Sequence, residues 1–275
     1  MNHPPVSADP ASHPAPAPAP SAAPETAPET AQFLLDGHAV PCRPGQTLMQ
    51  AAAAAGQHIP HLCWHSRLGQ SGSCRLCVVE ADGQLVAACT TPARPGQVVA
   101  NRTQALDERR RLLLQMLFVE GNHFCPSCEK SGDCLLQATA AEMGMRGPRF
   151  EEFYPQRPVD ASHDEVWLDL NRCILCKLCV RASHEVDGKG VFAIGGHGIG
   201  THLIVNSPSG QLGDSRLERE DFATQVCPVG AILPKRRGFA VPIGQRRFDA
   251  GPPSAGAPVK AAAASQTSGE EPGHG

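Results

Sequence analysis

Cys173-Ile174-Leu175-Cys176-Lys177-Leu178-Cys179, with Cys227-Pro228 far downstream, is the stretch that decides how this chain is read. Three cysteines at three-residue intervals wrap one corner of a four-iron cube, and a remote Cys-Pro supplies the fourth thiolate. Zinc prefers paired cysteines to such a triple. A two-cluster ferredoxin places a further cysteine soon after the third. Here Val180-Arg181-Ala182-Ser183 follows instead, so one [4Fe–4S] cluster is expected on Cys173, Cys176, Cys179 and Cys227.

Upstream lies a second group, Cys125, Cys128 and Cys134, with His123 two residues before Cys125. Three thiolates leave one iron of a cubane without a protein ligand. His123 is the nearest strong donor, and a neutral imidazole in place of a thiolate raises a cluster's potential. The competing reading is that His123 only caps the helix before it. Further upstream, Cys63, Cys74, Cys77 and Cys89 are spaced C-x10-C-x2-C-x11-C around a small, flexible Ser71-Gly72-Ser73 loop. Two near-neighbour thiolates and two brought in by the fold suit a [2Fe–2S] centre, with zinc as the alternative. Eleven of the twelve cysteines and one histidine are thus absorbed, and Cys42 is left as a buried or spectator thiol. His61 and His65 are read as surface groups or as neighbours of the ligands. Arg75 either donates to cluster sulfur or simply faces solvent.

The segments before Cys63 support the first assignment. Phe33-Leu34-Leu35, the turn dipeptide Asp36-Gly37 and Ala39-Val40 predict a hairpin. Thr47 predicts a cap for a helix from Leu48 to Ala55 that Gly56 closes. Strand, turn, strand, helix and cysteine loop is the opening of a β-grasp ferredoxin. A second hairpin is expected across Asp82-Gly83. Leu106, Leu112, Leu113, Met116 and Leu117 predict a helix over 104–119 that delivers the chain to His123. Between 182 and 222, glycines at 188, 190, 195, 196, 198 and 200 read as loops and short strands.

The expected fold class is α+β. A Pro/Ala-rich tail at 1–30 precedes a β-grasp [2Fe–2S] domain at 31–103. A small helical His/Cys3 [4Fe–4S] domain follows at 104–150 and a ferredoxin-like [4Fe–4S] domain at 151–249. A second unstructured tail covers 250–275. The 275 residues carry a net charge of −3 and only 4% aromatics, so the core needs the stapling that metal clusters provide. No basic stripe suggests nucleic acid. The N-terminus lacks a basic and apolar leader, and the Ala51–Ala55 run is too short to span a bilayer. A reduced, cytoplasmic setting is therefore expected, which favours metal over disulfides.

The order of the three ligand groups resembles the N-terminal region of the large iron–sulfur subunit of respiratory complex I. It also resembles the electron-input regions of iron-only hydrogenases and NAD-dependent formate dehydrogenases. Three stretches match one relative more closely: Glu120-Gly121-Asn122-His123-Phe124-Cys125-Pro126-Ser127-Cys128-Glu129-Lys130-Ser131-Gly132, then Cys227-Pro228-Val229-Gly230-Ala231-Ile232-Leu233, then Pro242-Ile243-Gly244-Gln245-Arg246-Arg247. They resemble the small diaphorase (gamma) subunits of bidirectional, NAD-linked nickel–iron hydrogenases. The complex I-type spacing is H-x3-C, whereas here it is H-x1-C. The resemblance implies an electron relay between a nickel–iron hydrogenase, with its small and large subunits, and a flavin- and NAD-binding diaphorase subunit. It implies a hydrogen dehydrogenase complex, with no catalytic residue or substrate site in this chain. No G-x-G-x-x-G follows a strand, and Gly195-Gly196-His197-Gly198-Ile199-Gly200 reads as a loop. The alternatives are the input subunit of a formate dehydrogenase, bifurcating hydrogenase or complex I-like enzyme and, more remotely, a zinc-stapled binding module.

Overall fold

The computed structural model describes residues 31–255. The segments 1–30 and 256–275, expected as tails, lie outside the described residues.

Strands β1 (Gln32–Leu35) and β2 (His38–Pro41) pair antiparallel across Asp36-Gly37. Both turn residues have positive φ, 49° and 83°, which a two-residue hairpin loop with the sheet's twist requires. Asp82-Gly83 repeats this between β3 (Val78–Ala81) and β4 (Gln84–Ala87). β5 (Val98–Ala100) lies parallel to β1 and antiparallel to β3, giving a five-stranded sheet in the order β2-β1-β5-β3-β4. Helix α1 (Leu48–Ala54) starts at Thr47. The Thr47 hydroxyl accepts from the Gln50 N–H while the Gln50 side chain accepts from the Thr47 N–H. Leu48, Met49, Ala51 and Ala52 bury one face of α1 against Phe33, Leu35, Val40, Val79 and Val99. Cys42 is buried in this core.

Helix α2 (Gln104–Val119) leads out of the sheet, capped by Thr103. The predicted apolar stripe is only partly the buried one. Leu112 and Met116 are 44% and 39% exposed, while Leu106, Arg110, Leu114 and Gln115 are buried. The buried line runs at four-residue steps through an arginine, which a hydrophobicity pattern skips. Leu114 packs with Leu62, Leu76 and residues of α3 (Leu135–Glu142) in a second core.

The last region has two small sheets. β7 (Val166–Asp169) lies between β6 (Val159–Asp160) and β10 (Ile232–Pro234), and β8 (Phe192–Gly195) pairs with β9 (His202–Val205). Helices α4 (Leu178–Glu185) and α5 (Phe222–Gln225) pack together beside them. The glycine-rich 195–200 segment is the turn between β8 and β9, as expected. The chain does not lose its structure at 250: Pro253–Ala255 forms a 3-10 turn in contact with α3. The anchor lies just before it. Arg246 forks onto Asp249 and donates to the Ser131 carbonyl at 3.0 Å, and the Phe248 N–H donates to Gly132 at 2.9 Å. Composition alone does not register such docking. Among the described residues no helix is long and apolar enough to cross a membrane.

The two faces of α2 give a direct check. Leu114→Ala should destabilise the protein by about 2–5 kcal/mol, whereas Leu112→Ala should stay within about 0.5 kcal/mol, read as denaturant midpoints. Equal shifts would mean that α2 packs on the other stripe.

Candidate metal centres

The first group sits where the Cys63 loop meets the five-stranded sheet. Cys63, Cys77 and Cys89 are buried and Cys74 nearly so. The Cys74 N–H points at the Cys63 sulfur and the Leu62 N–H at the Cys74 sulfur, both at 3.4 Å. Cys77 and Cys89 stand 3.3 Å apart, sulfur to sulfur. In each pair one thiol donates to the other. Cys63 is pulled down to about 5 by its bond from Cys74, whose own thiol rises. Cys89 is pulled to about 7 by Cys77, which rises in turn. The backbone at Ser73 and Gly72 adds further bonds to Cys63 and Cys89. Arg75 is exposed, with φ 58°.

The second group is carried by a 3-10 turn, Cys125–Ser127, and by the start of α3, where Cys134 occupies the cap position. His123, Cys125, Cys128 and Cys134 line one cavity. Burial raises the Cys125 thiol and pushes Cys134 up to about 12. Burial, then the Arg172 and Arg157 charges, lower His123 to about 4, and the Leu117 carbonyl opposes them. The ring is therefore neutral, the form that binds metal. Its Nε2 is buried without a hydrogen-bond partner and lies against Gly121, where a Cβ would come within 2.5 Å. One nitrogen engaged by a carbonyl and the other left unpartnered fits a ligating imidazole. The Leu117 carbonyl lies in the last turn of α2, so the same ring also closes the end of that helix.

The third group curls around a cavity with apolar walls. It is lined by Cys173, Cys176, Cys179 and Cys227 together with Ile194, Leu203 and Val229. Asp169 caps the turn that leads to Cys173. Leu175 and Lys177 take φ of 52° and 63°, left-handed values that non-glycine residues rarely adopt. Alternating hand turns successive N–H groups to one side, towards where an anionic cluster would sit. Burial lifts Cys173 to about 11 and raises Cys176 and Cys179 further. Such thiols ionise only when a cation repays the desolvation, which is what cluster binding supplies.

The third group touches both others. Cys63 lies in one apolar core with Cys176 and Cys179, and Cys74, Cys173, Ile174 and Cys227 border this core and also the core beside Cys134. Two arginines that sequence reasoning passed over fix these joints. Arg181, two residues after Cys179, donates to the Cys63 carbonyl at 2.6 Å and also to the Gly69 carbonyl. Arg172 pairs with Asp169 at 2.9 Å and with Glu129, between Cys128 and Cys134, at 2.8 Å. The Pro228 carbonyl accepts from the Leu135 N–H at 2.8 Å. Gly230 allows this approach, since a Cβ there would stand 3.2 Å from the Cys128 sulfur.

Three groups of cysteines, one with a histidine, joined through buried contacts, are the arrangement of an iron–sulfur electron-transfer protein. Residues 29–104 match the model for a 2Fe-2S iron–sulfur cluster binding domain. Residues 110–149 match the iron–sulfur binding region of NADH-ubiquinone oxidoreductase G, and 166–233 match a 4Fe-4S single cluster domain. The chain thus carries one [2Fe–2S] and two [4Fe–4S] clusters. The NAD-reducing hydrogenase HoxS gamma subunit of Cupriavidus necator is 37% identical over 219 residues, covering 79% of this chain and 93% of the relative. A crystal structure of an NAD+-reducing [NiFe]-hydrogenase in the H2-reduced state has a chain that superposes with a TM-score of 0.80. That chain is 57% identical, with 82% of this chain and 96% of that one covered. The mitochondrial 78 kDa subunit of NADH-ubiquinone oxidoreductase from Candida albicans is 33% identical over 74% of this chain, which spans only 28% of that subunit. The chain belongs to the family of NAD-reducing hydrogenase gamma subunits.

His123 offers the sharpest check on the second group. His123→Ala should abolish or distort the middle cluster's electron paramagnetic signal alone. His123→Cys should keep a cubane at lower potential, because thiolate favours the oxidised state. Wild-type titrations from both variants would place the fourth ligand elsewhere.

Proposed function

We propose that this chain relays single electrons between a nickel–iron hydrogenase module and a flavin- and NAD-binding diaphorase subunit, in a hydrogen:NAD oxidoreductase complex of the cytoplasm. The observation that carries this reading is the unbroken contact from the first cysteine group through the third to the second. In this reading Cys63, Cys74, Cys77 and Cys89 hold the [2Fe–2S] cluster. His123, Cys125, Cys128 and Cys134 hold one [4Fe–4S] cluster, and Cys173, Cys176, Cys179 and Cys227 the other. The clusters supply the one-electron chemistry, and a plant-type [2Fe–2S] centre works at about −400 mV, a range that exchanges electrons with hydrogen or NADH.

The first unit, taken as 31–103, is assigned a β-grasp ferredoxin fold. A parallel β1–β5 pair at the heart of a mixed sheet, with α1 packed on one face, supports this. A small helical unit at 104–150 and a ferredoxin-like unit from 151 to at least 249 complete the assignment. The protein's own part is to bury the ligands, exclude water and aim N–H groups at sulfur, which together set potentials. Val229 lines both the His123 and the Cys176 cavities, so the two [4Fe–4S] sites share a wall.

The test uses the assembled complex. Cys176→Ser should abolish hydrogen-dependent NAD reduction while leaving NADH–dye activity of the flavin subunit largely intact, because a dye takes electrons before the relay. Coupled turnover that survives loss of the Cys173–Cys227 cluster would refute the relay.

A further inference from the structure

Arg110 is 1% exposed, near the middle of α2, and the relay described so far makes no use of it. Its Nε donates to the Leu76 carbonyl at 3.1 Å. Nη1 donates to the Asn101 carbonyl at 2.6 Å and to the Asp107 carboxylate at 3.1 Å. Nη2 donates to the Val78 carbonyl at 3.0 Å and to the Asn101 side chain at 2.7 Å. A guanidinium has five N–H donors, and here each kind of nitrogen is engaged, with five bonds in all. Leu76 and Val78 stand on either side of Cys77, so the cation grips the backbone around a cysteine.

Four of the five acceptors are neutral. The one carboxylate, Asp107, is 33% exposed and so partly screened by water. Burial lowers the pKa of Arg110, while Asp107 and, more weakly, the Cys77 thiolate raise it. Arginine nonetheless stays protonated in proteins. A buried cation with so little counter-charge is costly, and an apolar side chain would pack as well. The cost is recovered where a large anion is bound nearby, and four thiolates with two sulfides around two irons form one.

We propose that Arg110 is a positioning residue that also raises the potential of the [2Fe–2S] centre, by placing a buried, only partly neutralised positive charge behind Cys77. The proposal rests on the ligand reading of Cys63, Cys74, Cys77 and Cys89 given above. The reduced centre has gained one electron and no proton, so it carries one more negative charge than the oxidised centre. A fixed cation in a low-dielectric interior stabilises the reduced form more. The effect is local, because Arg110 bridges β3, the end of β5 and α2 and touches neither of the other ligand groups.

The test is a redox titration of the intact, anaerobically loaded chain, followed by electron paramagnetic resonance, in wild type, Arg110→Lys, Arg110→Met and Asp107→Asn. Arg110→Met should move the [2Fe–2S] midpoint to a more negative value and leave both [4Fe–4S] midpoints in place. Arg110→Lys should restore most of the shift. Asp107→Asn, which removes the counter-charge at a partly exposed site, should move it the opposite way. A purely structural arginine would change cluster content but not the midpoint of the centres that remain. An unchanged midpoint in Arg110→Met overturns the proposal, and if that variant does not hold the cluster, an unchanged midpoint in Asp107→Asn does so. Cys77→Ser separates the underlying reading: a [2Fe–2S] signal unaltered in that variant would indict the ligand assignment instead.

Discussion

The corner formed by Cys173, Ile174 and Cys227 is the constraint on which the rest depends. These residues border two apolar cores at once, one holding Cys63, Cys176 and Cys179, the other beside Cys134 and Leu114. The chain visits its ligand groups in the order first, second, third, yet the third packs against both others, and Cys74 of the first also borders the core beside Cys134. The remote Cys227-Pro228 segment makes this possible. It returns from the far side of the β8–β9 hairpin, passes the start of α3 and closes against the Cys128 loop through Gly230. These shared cores cross every domain boundary that the sequence suggests.

Energetically the arrangement is poor as a bare polypeptide. Thiols at Cys134, Cys173, Cys176 and Cys179 are lifted by burial, so their charged, metal-binding forms are disfavoured until iron arrives. Arg75, Leu175 and Lys177 hold left-handed backbone within the cysteine loops, at about 1–3 kcal/mol each. With 4% aromatics the apolar cores have little surplus to offset this. The left-handed residues lie inside the cysteine loops themselves.

Much of this was legible in the sequence. The Asp36-Gly37 and Asp82-Gly83 turns, the Thr47 cap and the span of α2 follow from local chemistry that the tertiary fold does not override. The structure brings Cys173, Cys176, Cys179 and Cys227 around one cavity and His123, Cys125, Cys128 and Cys134 around another, the groups that the spacings suggested. What escaped is long-range. Nothing near Arg181 in sequence shows that it reaches Cys63, 118 residues away. Arg172 and Glu129, 43 residues apart, are equally silent. On α2 the buried line includes Arg110, so apolar periodicity pointed to Leu112 and Met116, which face solvent. The docking of residues 246–255 was masked by a Gly/Pro-rich composition that suggested a tail from 250 onward.

The central claim, that the Cys173–Cys227 cluster stands between the other two, is tested most directly by spin relaxation. The relaxation rate of the [2Fe–2S] electron paramagnetic signal is measured while the two [4Fe–4S] clusters are reduced stepwise in the intact protein, and again in Cys176→Ser. The account predicts fast relaxation of the [2Fe–2S] signal when the third-group cluster is paramagnetic, and slow, nearly isolated behaviour in Cys176→Ser even with the His123 cluster reduced. Fast relaxation that persists in Cys176→Ser and follows reduction of the His123 cluster would contradict it.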